Sequence, residues 1–413
     1  MKLKNVHYGW VMVAMTIGIL VVHALISYCF GLFLKPMTLE FGWDRGALAA
    51  VYSMIVLVTG SLGILSGRLT DRYGPRPIVT IGGLLIGIAF ILMSQINSLW
   101  QVYLIWGFLT GVGFSFCLIP VMTIIPRWFV KGRGMVMGIV MTGRGIGGII
   151  SPLLAQWLIS DYGWRWTFVI LGLIALILII PVAQFMRHSP QRMGLKPYGE
   201  DEMAEVKQFP SSAIEGLSFS QAIRTSRFWL FGFILASVFF CLGTIMVHIV
   251  PYAGDTGIPA ITAASVLSIA AGVSIVGRLV ISFISDRIGG RLILTICLIL
   301  LTLSIIWLLF AENTWMFYVF AVMFGLSYGG FTLLLPVVTA ELFGLASFGV
   351  IIGSITFMTT LGDAVGAPVS GTIFDITGSY RLAFLTIIVI CTVAVILSVF
   401  LLRYKGKTDS VRG

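Results

Sequence analysis

The chain has 413 residues, of which 58% are hydrophobic and only 10% charged. A soluble domain carries about a quarter charged residues, so this composition excludes a water-solvated globule and makes lipid the solvent. The net charge of +10 does not point to nucleic acid, because the lysines and arginines fall one to three at a time between apolar runs and form no basic face for a phosphate backbone.

A bilayer core of about 30 Å needs about 20 apolar residues per helix. The N-terminal MKLKNVHYGW enters the first span, 9–33, without a small-residue cleavage site, so this segment reads as a spanning helix and not a removable signal. It carries His23 and Tyr28. The second span, 46–67, ends in a polar loop. Spans 77–96 and 100–126 follow, the latter with Phe116. The fifth span, 133–159, holds Arg144 in the run Gly143-Arg144-Gly145-Ile-Gly147-Gly148, a setting that lets another helix approach closely. The sixth, 165–187, completes the first half, and the long polar stretch 188–226 reads as a linker. The second half then runs through 227–253 (His248), 259–285 (Arg278), 291–311, 315–341 (Tyr328), 346–372 (Phe357 and Asp363) and 380–402.

The expected fold is an all-α membrane protein of twelve transmembrane helices. An N-terminal six-helix bundle occupies 1–187, the cytoplasmic linker 188–226, and a C-terminal six-helix bundle with a short tail 227–413. With the N-terminus inside, 20 of the lysines and arginines fall on the cytoplasmic side and four outside, which places both termini in the cytoplasm. All five cysteines lie inside apolar runs without CxxC spacing, so neither a disulfide framework nor a metal site is expected.

The halves repeat. The loop after the second span reads Gly67-Arg-Leu-Thr-Asp71-Arg72-Tyr-Gly74-Pro-Arg76. The loop after the eighth, at the equivalent place in the second half, reads Ser282-Phe-Ile-Ser-Asp286-Arg287-Ile-Gly289-Gly-Arg291. A second echo, at nearly the same offset, joins Ser151-Pro152 and Arg165 to Ala367-Pro368 and Arg381. Asp71 and Asp286, each with arginines one and five positions later, can pair with one another or with a helix N-terminus across the halves.

With these features the sequence resembles the major facilitator superfamily along its whole length. Trp128-Phe129-Val-Lys131-Gly-Arg133-Gly-Met-Val-Met-Gly138 is similar to the stretch entering helix 5 of monocarboxylate transporters. Gln191-Arg-Met-Gly194-Leu-Lys-Pro197 and Arg227-Phe-Trp229 resemble the oxalate–formate antiporter branch. The resemblance implies a cytoplasmic gate built from Asp71, Arg72, Arg76, Asp286, Arg287 and Arg291. It also implies a cavity shaped by Tyr28, Tyr328, Phe116 and Phe357.

Three charges lie within the spans away from their ends: Arg144, Arg278 and Asp363. An ionised group at bilayer depth costs at least a few kcal/mol, so each needs a partner or a water-filled cavity. Arg278 lies about 12 Å from the cytoplasmic end of its helix, Arg144 about 16 Å and Asp363 about 25 Å. An arginine fork suits a carboxylate because it makes two parallel charge-assisted hydrogen bonds. The resemblance places the substrate cation at Arg278. Arg144 departs from the monocarboxylate transporters, which are expected to carry no cation at this helix 5 position. Because helices 5 and 8 face each other in the fold the resemblance implies, Arg144 is a candidate second arginine flanking the site. The alternative is a salt bridge from either arginine to Asp363. Asp363 and His248 are the candidates for proton coupling, and His23 is a third titratable group.

The expected function is proton-coupled symport of a small monocarboxylate, lactate- or pyruvate-like, by alternating access, with no cofactor and as a monomer in the cell inner membrane. Carboxylate exchange of the oxalate–formate type is the alternative. That branch carries a lysine on helix 11, whereas Ser354 to Gly362 has none. No nucleophile–base pair or phosphate-binding glycine loop points to an enzyme, and the linker and tail are too short for a receptor's output domain.

Overall fold

The computed structural model describes residues 7–130, 132–199, 216–344 and 346–403. Among these residues, ten helices are long and apolar enough to cross a membrane, and a pair bent by 45° makes an eleventh span. The longest, Arg133–Phe185, is broken at Gly163, whose φ of 77° and ψ of 163° lie where side chains are strained and glycine is not. That break divides it into two and gives twelve. In chain order they are α1 (Tyr8–Phe41), α2 (Arg45–Ser61 and Gly63–Tyr73), α3 (Pro75–Met93), α4 (Leu99–Trp128), α5 (133–162), α6 (164–185), α7 (Ser226–Asp255), α8 (Ala260–Ile288), α9 (Gly290–Leu308), α10 (Thr314–Phe343), α11 (Phe348–Thr377) and α12 (Arg381–Arg403).

The chain divides into two compact units. The first comprises 1–33 and 54–210, the second 34–53 and 211–413. The loop between α1 and α2, with the helix ends that flank it, therefore groups with the C-terminal helices. In the first unit α1 packs on α5 and α3 on α6; in the second α7 packs on α11 and α8 on α10.

These pairings show how the repeat is built. Gly143 and Gly147 of α5 face the backbone of α1 at Ile17 and Val21. Gly362 and Gly366 of α11 face α7 at Ala236 and Phe240. One turn on, the Ser151 hydroxyl donates to the Leu25 carbonyl, and Ser370 shares a hydrogen bond with Thr244 at 3.0 Å. Every member of the second set keeps one and the same offset from its counterpart in the first. That packing offset is longer than the offset of the sequence echo by nearly one helical turn. Small residues let the helix backbones meet where lipid supplies no hydrophobic drive.

A side chain at these glycines must displace backbone. Gly147→Val is expected to destabilise the folded chain by about 1–3 kcal/mol. Gly138→Ala, where a Cβ meets nothing within 4 Å, should keep its stability or raise it by up to about 1 kcal/mol. Thermal unfolding in detergent compares the two.

The described ends of the linker are strapped to equivalent helix ends. Tyr198 N–H donates to the Trp128 carbonyl at the end of α4 (2.9 Å), and Leu217 N–H to the Phe343 carbonyl at the end of α10 (2.8 Å). Around the first strap, His7, Tyr8, Trp10, Trp128, Phe129 and Tyr198 form an aromatic cluster.

Candidate functional site

Arg278 sits on α8 almost three turns before its end, about 15 Å deep. Here α8 and α10 meet backbone to backbone. A Cβ on Gly277 would come within 2.8 Å of the Leu326 carbonyl, and one on Gly329 within 2.9 Å of Arg278 N. The close crossing fixes the Cα of Arg278 relative to Tyr328, which immediately precedes Gly329. Both side chains are half-buried. The Tyr328 ring lies nearly parallel to Phe324 at 6.3 Å, and Phe324 stacks on Phe320 at 5.4 Å, so an aromatic ladder sets its orientation.

Arg144 and Asp363 are counterparts. Each follows the first glycine of its helix crossing, Gly143 or Gly362, and they are related by the same offset as the crossings themselves. The repeat places a cation in one unit where the other has an anion. Asp363 is half-buried and accepts from the Tyr52 hydroxyl at 3.4 Å. A Cβ on Gly243 of α7 would come within 2.6 Å of its Oδ1, so that glycine makes room for the carboxylate.

His248 is fully buried with both ring nitrogens engaged. Arg45 Nη1 donates to the Tyr380 oxygen (3.0 Å), and a guanidinium cannot accept. The Ala367 carbonyl can only accept, so His248 Nε2–H donates to it (2.8 Å), and the neutral ring accepts at Nδ1 from the Tyr380 hydroxyl (3.0 Å). His23 is buried, with its ring 4.2 Å from that of Phe114. Tyr28 is buried at the break between the two segments of α1. Phe116 is half-buried with its Cβ beside Gly82, and Phe357 is 59% exposed on α11.

The sequence did not single out the cluster at the end of the second unit opposite the linker. Arg45 Nη1 lies 2.6 Å from Asp255, which also meets Lys35 at 3.3 Å. The guanidinium covers the Phe374 ring at 3.9 Å. Asp375 accepts from the backbone N–H of Arg45 (2.9 Å) and Gly46 (2.7 Å), capping the start of α2 with a carboxylate from α11. The Ser53 hydroxyl donates to the Ala364 carbonyl. These attachments tie 34–53 to α7, α11 and α12.

At the linker end, Asp71 pairs with Arg127 of its own unit, at the end of α4, and Arg127 also donates to His188 Nε2 (3.0 Å). Arg76 Nε donates to Gln184 (2.7 Å). Arg72 lies over Tyr73 at 5.1 Å and Arg287 over Phe283 at 4.3 Å. In the second unit Glu341, near the end of α10, accepts from Gly290 N–H (2.7 Å) and lies 3.5 Å from Arg291. The end of α4 thus presents a base to the loop and the end of α10 an acid. The side chains of Asp286 and Arg133, and Lys131 as a whole, lie outside the described residues. Arg165, of the second echo, donates to the Ser94 carbonyl at the end of α3 (2.7 Å), while Arg381 is exposed.

Residues 16–300 and 253–412 match the family described as the Major Facilitator Superfamily. Monocarboxylate transporter 12 of Mus musculus is 28% identical over 420 residues, covering 96% of this chain and 85% of that protein. Monocarboxylate transporter 2 of Homo sapiens is 28% identical over 408 residues, covering 92% and 82%. A bacterial homolog of the human lysosomal transporter Spinster, in an inward-facing and occupied conformation, has a TM-score of 0.75 at 14% identity and covers 97% of each chain. The nucleoside transporter NupG has a TM-score of 0.70 at 16% identity, covering 96% of this chain and 100% of that one. At such identities the two structures speak for the fold alone. The chain is a multi-pass membrane transporter, not an enzyme, and it belongs to the Major Facilitator Superfamily, resembling the monocarboxylate transporters in sequence.

Proposed function

We propose that the chain carries a short monocarboxylate, lactate- or pyruvate-like, together with a proton, by alternating access in the cytoplasmic membrane with both termini inside. The observation that carries this reading is the half-buried Arg278 of α8 at a glycine-built crossing with α10, where half-buried Tyr328 immediately precedes the crossing glycine. Such a pair offers a carboxylate a fork and one further donor. The names of the relatives support a carboxylate as the anion. Tyr28, Phe116 and Phe357 remain the proposed lining for the aliphatic body, and Arg144 the second cation.

Asp363 is the better proton carrier of the two candidates. The ring nitrogens of His248 are both committed in a bonded chain that ends at Arg45, whereas the Asp363 carboxylate is half-buried beside a hydroxyl. Asp71, Arg72, Arg76, Asp286, Arg287 and Arg291 are proposed as the cytoplasmic gate, to which the structure adds Arg127 and Glu341 as direct partners of Asp71 and Arg291.

Purified protein in liposomes tests the reading. Labelled lactate should accumulate when an inward proton gradient is imposed and no anion is inside. Uptake that requires a preloaded carboxylate would establish exchange in place of symport. Asp363→Asn should reduce gradient-driven accumulation by about tenfold or more while lactate–lactate exchange stays within about threefold of the parent. Equal loss of both activities would remove Asp363 from the proton path.

A further inference from the structure

Two adjoining cavities open at the linker end of the first unit; they share Arg76 with the proposed gate, but transport as described above places no ligand in either. One, of about 250 Å3, is lined by Tyr73, Gly74, Arg76, Arg187, His188 and Met193 among others. The second, of about 330 Å3, is lined by Arg76, Pro77, Thr80, Ile81 and Gln184. Arg76 borders both.

The chemistry of the first cavity is that of an anion site. It presents two guanidinium groups and an imidazole, and among the described residues no carboxylate lines it. Arg127 donates to His188 Nε2, so the neutral ring carries its proton on Nδ1, the nitrogen beside Gly74. Pro75 and Pro77 remove two backbone donors from the start of α3, which leaves recognition to side chains. Arg76 is held through Nε by Gln184, whose amide in turn donates to Thr80 (3.1 Å), so the cation between the cavities is braced.

The second cavity is continuous with an apolar track. From Ile81, the exposed residues Leu84, Ile88 and Leu92 descend one face of α3 at spacings of three and four. Leu173, Ile177 and Leu178 are exposed on α6, which packs against α3 through Gly83 and Gly87. A soluble anion would fill the first cavity and make no use of the track. A molecule with a phosphate at one end and an acyl chain at the other fits both.

We propose that these cavities bind an anionic phospholipid, its phosphate against Arg76, Arg187 and His188 and an acyl chain along α3. Native mass spectrometry of the detergent-purified chain, titrated with dioleoyl-phosphatidylglycerol and dioleoyl-phosphatidylcholine, tests this. The parent should hold the glycerol lipid about tenfold more tightly than the choline lipid. R76Q/R187Q should bind the two lipids alike, and R76K/R187K should keep most of the preference. Arg381→Gln, at an exposed arginine that begins α12, controls for net charge and should keep it entirely. The proposal is overturned if the parent shows no preference, if R76Q/R187Q retains it, or if Arg381→Gln loses it equally. Excess inorganic phosphate should leave the lipid in place; displacement by phosphate alone would make this a free-anion site and overturn the lipid assignment.

Discussion

Arg278→Lys is expected to lower the uptake efficiency for lactate in proteoliposomes by about a hundredfold or more, equivalent to roughly 3 kcal/mol of lost binding. Lysine keeps the charge, so a site that needed only a cation would tolerate it. A carboxylate held by the fork loses one of two parallel hydrogen bonds, and the more strongly hydrated ammonium is costlier to bring into the site. Main-chain adjustment cannot restore the contact. Gly277 lies against Leu326 and Gly329 against Arg278 itself, so the backbone of α8 is fixed against α10 at this position. Tyr328→Phe removes a single donor to an anion and should cost about tenfold. The two variants are compared by initial rates over a range of lactate concentrations. An Arg278→Lys efficiency within about threefold of the parent would show that the carboxylate is bound elsewhere.

The parts of the molecule legible in the sequence are those that depend on the bilayer. Spans follow from hydropathy, which is local. The cost of Arg144, Arg278 and Asp363 follows from depth, which needs only a count of positions along a helix. Direct partners are another matter. Asp71 bonds Arg127, 56 residues away, and Arg45 bonds Asp255, 210 residues away. In the sequence Arg127 and Arg45 are only members of the inside and outside tallies of positive charge. The relation between Arg144 and Asp363 is hidden for a different reason. The loop motifs repeat at one offset and the helix crossings at a longer one, because the connections differ in length between the halves. A single offset read from the loops misaligns the helices by about one turn, and the two charges then look unrelated. Glycines at the crossings carry the true register, since only there does a missing side chain have a steric reason.

Arg45 gives the second large expected effect. In the alternating-access cycle proposed above, 34–53 would leave α7, α11 and the start of α12 in one half and return in the other. Arg45 is at the centre of the contacts that hold 34–53 on these helices. Its guanidinium reaches Asp255 and Tyr380 and covers Phe374, and only about a tenth of the residue is exposed. Truncating it leaves Asp255 with Lys35 at 3.3 Å as a more exposed partner, so the cost falls below that of a sealed ion pair, at about 2–3 kcal/mol. That shifts the ratio of undocked to docked segment by about 30- to 150-fold. Asp375 should hold its place, because it caps backbone N–H groups that the substitution does not touch. The readout is maleimide labelling of Ala364→Cys, a buried position whose carbonyl accepts from Ser53; the five native cysteines are buried. Labelling should be slow in the parent background and about tenfold faster or more with Arg45→Ala. Asp255→Ala should accelerate it less, since Tyr380 and Phe374 still hold the guanidinium. The double variant should fall short of the sum of the two by about 1 kcal/mol, the signature of a direct pair. Additive effects would mean that Arg45 and Asp255 act independently, and an unchanged labelling rate would mean that this cluster does not hold the segment closed.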